Sequence, residues 1–468
     1  MVAEHGKRTR GATLADSVVS RLLAEIVRGT RPTGSRLSSI RKAAVEFGVS
    51  KNIIVEAYDR LVASGHVVAR AGSGFVVNAA RTAEPGSRPR HVAEAVDIAS
   101  LLGAQLDQRF TVRVGDGRPP ASWTEQSEIK RHLGAQGRVS PIEEDVDAYG
   151  SALGFLPLRQ QIVRRLATQQ IQARDENILM TFGANHALDL IIRGTLSAGD
   201  TVLVDDPGYY PLFAKLTLAQ VRMVGVRRTA EGPDVEDFAA KLASVRPKLF
   251  FTQSLGHNPT GGSITLPVAH AILAAARSVD LTIVEDEPFA DLPTTATNRL
   301  ATLDQLNTVI SVGTFSKTLS ASLRSGFIAA RGDRIGALAE LKMLTTVNSS
   351  GHVERLLHRL LADGHYDRHL KRLMQRVELA SAQVQTSLAR AGCQVLASAI
   401  GGYYLYLLLP EGVDDIELAR EGAKESIFIA PGSVFCIDKK NPLARAIRVN
   451  VSRADDPRFY DFLLRKLS

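Results

Sequence analysis

Two cysteines, Cys393 and Cys436, are too few in 468 residues for a disulfide framework, and their scarcity suits a reducing compartment. No apolar run reaches the length that spans a bilayer, and the N-terminal MVAEHGKRTRGATLAD holds no apolar signal-peptide core. A cytoplasmic protein without membrane contact is therefore expected. Internal repeats and low-complexity tracts are absent, which excludes solenoid and fibrous classes. What is present is ordinary globular material. Hydrophobic residues make up 45% and charged residues 23%, enough apolar surface for a sizeable core and too much for bulk disorder. The length exceeds what one core usually supports, so at least two domains are expected.

The net charge of +8 is uneven. Up to Asn78, twelve Lys/Arg stand against six acids, an excess of +6 in a small part of the chain. A basic module on a nearly neutral body suits binding to a phosphate backbone. Within it, Leu14, Val18, Leu22 and Ile26 predict an amphipathic helix over 14–26. A shorter helix follows over 39–47, with Ile40, Ala43, Ala44 and Phe47 on one face and Gly48 as its stop. Ser50 caps a third, over 51–64, that turns Ile54, Ala57, Tyr58, Leu61 and Val62 inward. Two short helices across a glycine turn predict a helix-turn-helix. His66–Arg70 and Phe75–Val77 then flank Ala71-Gly72-Ser73-Gly74, a predicted hairpin or wing. A polar stretch, RTAEPGSRPRHVAE, marks a linker. The expected domains are 1–78, a linker over 79–109, and 110–468.

The segment from Gly29 to Val77 resembles the GntR family of winged-helix regulators. The resemblance rests on Gly29, Gly34, Leu37, Ser39, Arg41, Ala44, Gly48-Val49-Ser50, Ala57-Tyr58, Leu61, Gly65, Gly72 and Gly74. Ser38 departs where proline is usual, and Lys51-Asn52 replaces Arg-x. It implies contacts to double-stranded DNA from Arg36, Ser39, Arg41, Ser50, Lys51 and Asn52, with Gly72 and Ser73 in the wing. The third helix then places its N-terminal residues in the major groove.

Beyond the linker, helical patterns alternate with β-rich runs at 201–204, 248–251, 281–284 and 309–312, which predicts an α/β domain with a mostly parallel sheet. Three spaced motifs follow: His257-Asn258-Pro259-Thr260-Gly261, Val284-Glu285-Asp286-Glu287-Pro288-Phe289, and Gly313-Thr314-Phe315-Ser316-Lys317 running on to Arg324. With them the chain resembles fold type I aminotransferases, and the order of fusion resembles the MocR subfamily of GntR regulators. The implied architecture is a winged helix-turn-helix followed by that fold, a mostly parallel sheet with flanking helices and a smaller C-terminal α+β subdomain.

The implied cofactor is pyridoxal 5'-phosphate (PLP), held as a Schiff base on Lys317. Thr314, Ser316 and Arg324 match phosphate-binding positions, with Gly183, Ala184 and Asn185 at a helix start that favours an anion. Asn258 is implied as donor to the cofactor's 3'-oxygen, Asp286 as partner of the protonated pyridine nitrogen, and Tyr209 as the ring that stacks on it. Tyr149 resembles the tyrosine that reaches the phosphate from a neighbouring subunit, which implies a homodimer. Arg448, in Ile447-Arg448-Val449-Asn450, resembles the arginine that grips a substrate carboxylate.

Phe289 departs from the family's DxxY pattern, whose tyrosine bonds the 3'-oxygen, and so argues against full transaminase turnover; a half-reaction stays open. The expectation is a transcription regulator that senses a small, carboxylate-bearing amino compound, or PLP itself, and not an enzyme. The alternative is a PLP-dependent aminotransferase with an accessory DNA-binding domain. No metal is expected.

Overall fold

The computed structural model describes residues 14–27, 31, 34–63, 66–70, 74–77, 89–106, 109–136, 148–292, 298–397 and 401–467. The chain divides into two compact units, Met1–Pro89 and Arg90–Ser468.

In the first unit, α1 (Leu14–Val27), α2 (Ile40–Phe47) and α3 (Lys51–Ala63) precede a hairpin of β1 (Val67–Arg70) and β2 (Gly74–Val77). Val18, Leu22, Ile26, Ala43, Ile54, Ala57, Tyr58 and Leu61 form its core, the stripe that the helical spacing predicts. Leu14 is the exception, 63% exposed, with Ala15 buried instead. Gly48 ends α2 at a φ of 65°, a left-handed conformation that favours glycine. Residues Gly34–Leu37 lie along the hairpin and join it by an isolated bridge between Arg36 and Val76, with Leu37 N–H donating to Phe75 O and Gly34 N–H to Val77 O. No alternation in the sequence announces that bridge. The wing residues Gly72 and Ser73 lie outside the described residues.

The linker expected through residue 109 is shorter than its polarity suggested. Two helices, α4 (Arg90–Ile98) and α5 (Ser100–Leu106), occupy its second half. Ala95 and Leu101 are buried, and α4 packs on the helix Tyr210–Leu218. Isolated helices this short are marginal, so their apolar faces gain meaning only from the body they cover.

The second unit is built on an eight-stranded sheet of β3 (Ile178–Thr181), β4 (Thr201–Asp206), β5 (Arg222–Thr229), β6 (Gly232–Pro233), β7 (Leu249–Thr252), β8 (Thr282–Glu287), β9 (Val309–Thr314) and β10 (Gly326–Ala329). The spatial order is β3-β10-β9-β8-β7-β4-β5-β6. Strands β5, β4, β7, β8 and β9 are parallel, and β10 runs against both β3 and β9. The four predicted β-rich runs supply β4, β7, β8 and β9. Their near-continuous apolar character reflects burial on both faces by helices. A smaller antiparallel sheet, β11 (Gln394–Val395), β12 (Tyr404–Leu408), β13 (Ala430–Pro431) and β14 (Ala446–Asn450), has the order β11-β12-β14-β13.

Candidate functional site

In parallel sheets the loops at the carboxyl ends of the strands form the ligand crevice. Here β3, β4, β7, β8 and β9 all deliver named residues to that edge. Strand β8 ends on three consecutive buried acids, and the two-residue period of a strand separates their roles. Glu285 accepts from Leu300 N–H at 2.6 Å and Ala301 N–H at 3.0 Å, capping the helix Leu300–Asp304. Glu287 accepts from Ser254 N–H at 2.6 Å. Asp286 points the other way. Its Oδ2 accepts from Gln253 Nε2 at 3.0 Å, and its Oδ1 is buried without a partner. Burial pushes the Asp286 carboxyl up to about 6.

Lys317 follows β9 by three residues and extends its Nζ to the Gly117 carbonyl at 2.6 Å. Burial, reinforced by the Arg448 charge, lowers its pKa to about 8, which raises the fraction of neutral, nucleophilic amine. Arg448, on β14, is 1% exposed and donates to Asn258 Oδ1 at 2.8 Å and to Gly115 O at 2.7 Å. Its guanidinium lies between the rings of Tyr404 and Phe435, 4.9 Å from each, and its Nε is buried without a partner. Tyr209 lines the same pocket as Asp286, and burial raises its pKa.

A second group of residues forms an anion cradle. Gly183, at a φ of 82°, stands just before the helix Ala184–Thr195, whose first N–H groups lack intrahelical partners. A Cβ on Gly183 would meet Arg324 Nη2 at 3.0 Å, so the close approach of that cation depends on glycine. Arg324 itself holds a left-handed φ of 46° while its Nη1 reaches Ser316 Oγ at 3.3 Å and its Nη2 Phe182 O at 3.1 Å. Thr314 Oγ1 lies 3.1 Å from Ser316 Oγ. Asn185 carries a buried, unpartnered Oδ1 at the same helix start. A cavity of about 650 Å³, lined by Arg118, Glu125, Lys130, Ser316 and Arg453 among others, opens beside Ser316.

These residues fit a phosphorylated pyridine aldehyde: an amine of lowered pKa, a buried carboxylate oxygen lacking a donor, and a cationic, glycine-lined helix start. Tyr149 stands apart from them. It is 85% exposed. Among the described residues Glu128, His132 and His365 also gather, but Arg131 stands 2.7 Å from Glu128 and 2.9 Å from His365, so a cation already fills that cluster.

Sequence reasoning missed Gln253. Its Nε2 holds Asp286 while its Oε1 accepts from Asn258 N–H at 2.8 Å, so one amide sets the spacing of two site residues. Gln253 is itself fixed by a buried ion pair. Arg228 donates to Asp205 Oδ2 at 2.9 Å and to Gln253 O at 2.8 Å, and Gln253 N–H donates to Asp205 Oδ2 at 3.3 Å. His257 lies 3.4 Å from the same Asp205 oxygen. Burial, with the Arg228 charge, lowers the His257 pKa to about 4. An unfolded histidine titrates near 6.5, so on acidification the unfolded chain takes up this proton first. Stability is therefore lost as pH falls from about 6.5 to about 4, by about 3 kcal/mol at the lower end. In urea unfolding at pH 7 and pH 4.5, the chain is expected to lose about 2 kcal/mol more than a His257→Gln variant.

In the first unit Arg36, Ser39, Arg41, Ser50, Lys51 and Asn52 are all exposed. Arg41 lies in the first turn of α2 and Lys51 and Asn52 open α3, while Ser39 Oγ also accepts from Lys42 N–H at 3.4 Å as the cap of α2. Tyr58 O–H donates to Ser38 O at 2.8 Å, tying α3 to the residue before that cap.

A winged helix-turn-helix followed by a fold type I aminotransferase architecture is thus the class of protein that the fold and the pocket define. The chain belongs to the aminotransferase class I and II family, which it matches over residues 129–461, and its residues 14–77 match the bacterial regulatory proteins of the gntR family. That combination is consistent with the MocR subfamily. Similar chains include the uncharacterized HTH-type transcriptional regulator YdfD of Bacillus subtilis, 26% identical across 91% of this chain and 90% of that one. Another is the HTH-type transcriptional regulator NorG of Staphylococcus aureus, 24% identical across 87% and 94%. Among solved structures, the kynurenine aminotransferase of Pyrococcus horikoshii, in complex with PMP, superimposes with a TM-score of 0.72 at 22% identity, covering 79% of this chain and 93% of that one. LysN, the alpha-aminoadipate aminotransferase of Thermus thermophilus complexed with N-(5'-phosphopyridoxyl)-L-leucine, gives 0.69 at 23%, covering 80% and 94%.

Proposed function

We propose that the chain is a DNA-binding transcription regulator whose aminotransferase-like body binds PLP through a Schiff base on Lys317. In this reading it responds to a small amino compound carrying a carboxylate, works as a homodimer and resides in the cytoplasm. The observation that carries the reading is that Lys317 interacts with the charges of Arg448 and Asp286, and Arg448 with Asn258, in a chain that also holds a gntR-type head. When bound, PLP supplies an aldehyde that captures amines and an electron-poor ring. The residues do the rest. Asp286 holds a proton on the pyridine nitrogen; Gly183, Ala184, Asn185, Thr314, Ser316 and Arg324 hold the phosphate; Asn258 faces the 3'-oxygen; Tyr209 covers the ring. Arg448 pairs with the carboxylate of the captured compound, and Tyr149 reaches the phosphate of the second subunit.

The head contacts DNA through Arg36, Ser39, Arg41, Ser50, Lys51 and Asn52, with Gly72 and Ser73 in the wing. A ligand changes operator binding only if it favours one arrangement of the dimer over another. One route starts at Gln105 of α5, the helix that follows the linker and α4. Its side chain donates to Tyr210 O–H at 3.0 Å, beside Tyr209, and its carbonyl accepts from both Arg113 and Arg118 of the loop that receives Lys317.

The reading is tested by operator affinity, measured by fluorescence anisotropy on the DNA upstream of the chain's own gene, with PLP and with each common amino acid. Support is a shift in affinity with one of them that the Lys317→Ala chain does not show. Multiple turnovers with an amino donor and a keto acceptor would instead favour an enzyme with an accessory head. In the same assay, Arg41→Ala with Lys51→Ala is expected to weaken binding and to reduce the slope of log affinity against log salt by about 2. An unchanged slope would remove both residues from the DNA contact.

A further inference from the structure

Phe289 sits where the DxxY pattern places a tyrosine, and its buried ring packs edge-on against Tyr403 and Tyr404, with centroids 5.1 and 5.6 Å away. The two tyrosines differ in what their hydroxyls reach. Tyr403 O–H donates to the backbone carbonyl of Lys317 at 2.7 Å, a contact within the protein frame. Tyr404 is 1% exposed on β12, opposite Asn450 of β14, and its O–H donates to Gly117 O at 2.9 Å. That same oxygen receives Lys317 Nζ at 2.6 Å. The phenol hydroxyl and the lysine amine therefore meet at a single carbonyl. Arg448 stacks over the Tyr404 ring.

A lysine linked to PLP would no longer direct an N–H to Gly117, because the one proton that the linkage nitrogen can hold is shared with the cofactor's 3'-oxygen. The Tyr404 hydroxyl, seated on the carbonyl that Lys317 would leave and amid Arg448, Asp116 and Asp286, stands on the lysine's side of the site, the side to which the 3'-oxygen turns. We infer that Tyr404 supplies the hydroxyl missing at Phe289, donating its proton in a hydrogen bond to the 3'-oxygen of the cofactor bound at Lys317. This rests on the cofactor proposed above. It makes Tyr404 a cofactor-contacting residue approaching from the smaller sheet, whereas the family's tyrosine approaches from β8. The charged and titratable groups facing its hydroxyl are Lys317, Arg448, Asp116 and Asp286, with Tyr209 beyond. Burial pushes the Tyr404 phenol up to about 12, so it remains a donor throughout the neutral range.

The test is a spectrophotometric pH titration of the Lys317-linked chromophore in the full chain reconstituted with PLP. A donor to the 3'-oxygen stabilises the form in which that oxygen is anionic and the linkage nitrogen has lost its proton. Removing the donor raises the midpoint, by about one unit for a hydrogen bond to a charged group. Tyr404→Phe keeps the ring that packs against both Arg448 and Phe289, so the fold is retained and only the hydroxyl is lost. The expected result is an upward shift of about one unit in Tyr404→Phe, and a return toward the parent midpoint when Phe289→Tyr is added to it. A Tyr404→Phe midpoint equal to the parent's overturns the assignment while leaving the cofactor in place. A parent chain that forms no chromophore with PLP overturns both this inference and the reading on which it rests.

Discussion

An Asp286→Ala chain is expected to bind PLP about 100- to 1,000-fold more weakly than the parent, a loss of about 3–4 kcal/mol. The magnitude follows from where the carboxylate stands. Asp286 is buried at the end of β8, one oxygen held by Gln253 and the other without a donor. A buried acceptor with no partner is costly, and burial has already raised its pKa to about 6. A protonated pyridine nitrogen is the donor that would complete it, turning an unfavourable group into a charge-assisted pair. Asp286→Asn retains the shape but cannot hold the ring proton, and is expected to lose most of the same affinity. Equilibrium titration of PLP fluorescence quenching checks both. Parent-like affinity in the two variants would remove Asp286 from the cofactor.

Arg228→Met is expected to destabilise the second unit by about 3–5 kcal/mol, measured from the urea midpoint at neutral pH. Arg228 has no exposed side-chain surface and serves Asp205, Thr252 and the Gln253 carbonyl at once. Burial alone would raise the Asp205 pKa, but Arg228 and His257 bring it below the usual carboxylate value. Removing the cation leaves a buried carboxylate that must protonate or open to water. Because Gln253 positions both Asp286 and Asn258, the variant is also expected to lose PLP affinity, although Arg228 does not itself line the pocket. Adding Asp205→Asn removes the stranded charge and recovers part of the stability. If the double variant were no more stable than Arg228→Met, the loss would lie in packing and not in charge.

Much of this was legible in the sequence because it depends on short-range patterns. The helical spacing from Leu14 to Ile26, the glycine stop at Gly48 and the apolar runs of β4, β7, β8 and β9 each follow from local periodicity and turn chemistry. The motifs around Asn258, Asp286 and Lys317 could be read because each lies within a few residues of a strand end. What stayed hidden depends on partners distant in the chain. Helices α4 and α5 look like polar linker until the helix Tyr210–Leu218 gives Ala95 and Leu101 something to cover. Gln253 is one more polar residue after a strand until Asp286 and Asn258 close around it. The role of Gly117 lies in a carbonyl, which no residue identity encodes, and Tyr404 becomes distinctive only beside Phe289 and Lys317.

The most direct test of the account is the visible absorption spectrum of the purified chain and its Lys317→Ala variant, each with added PLP, before and after borohydride reduction. The account predicts a visible band in the parent that borohydride abolishes by fixing the cofactor to the protein, and no such band in the variant. A parent chain that stays colourless with PLP, or a variant that keeps the parent's band, would contradict it.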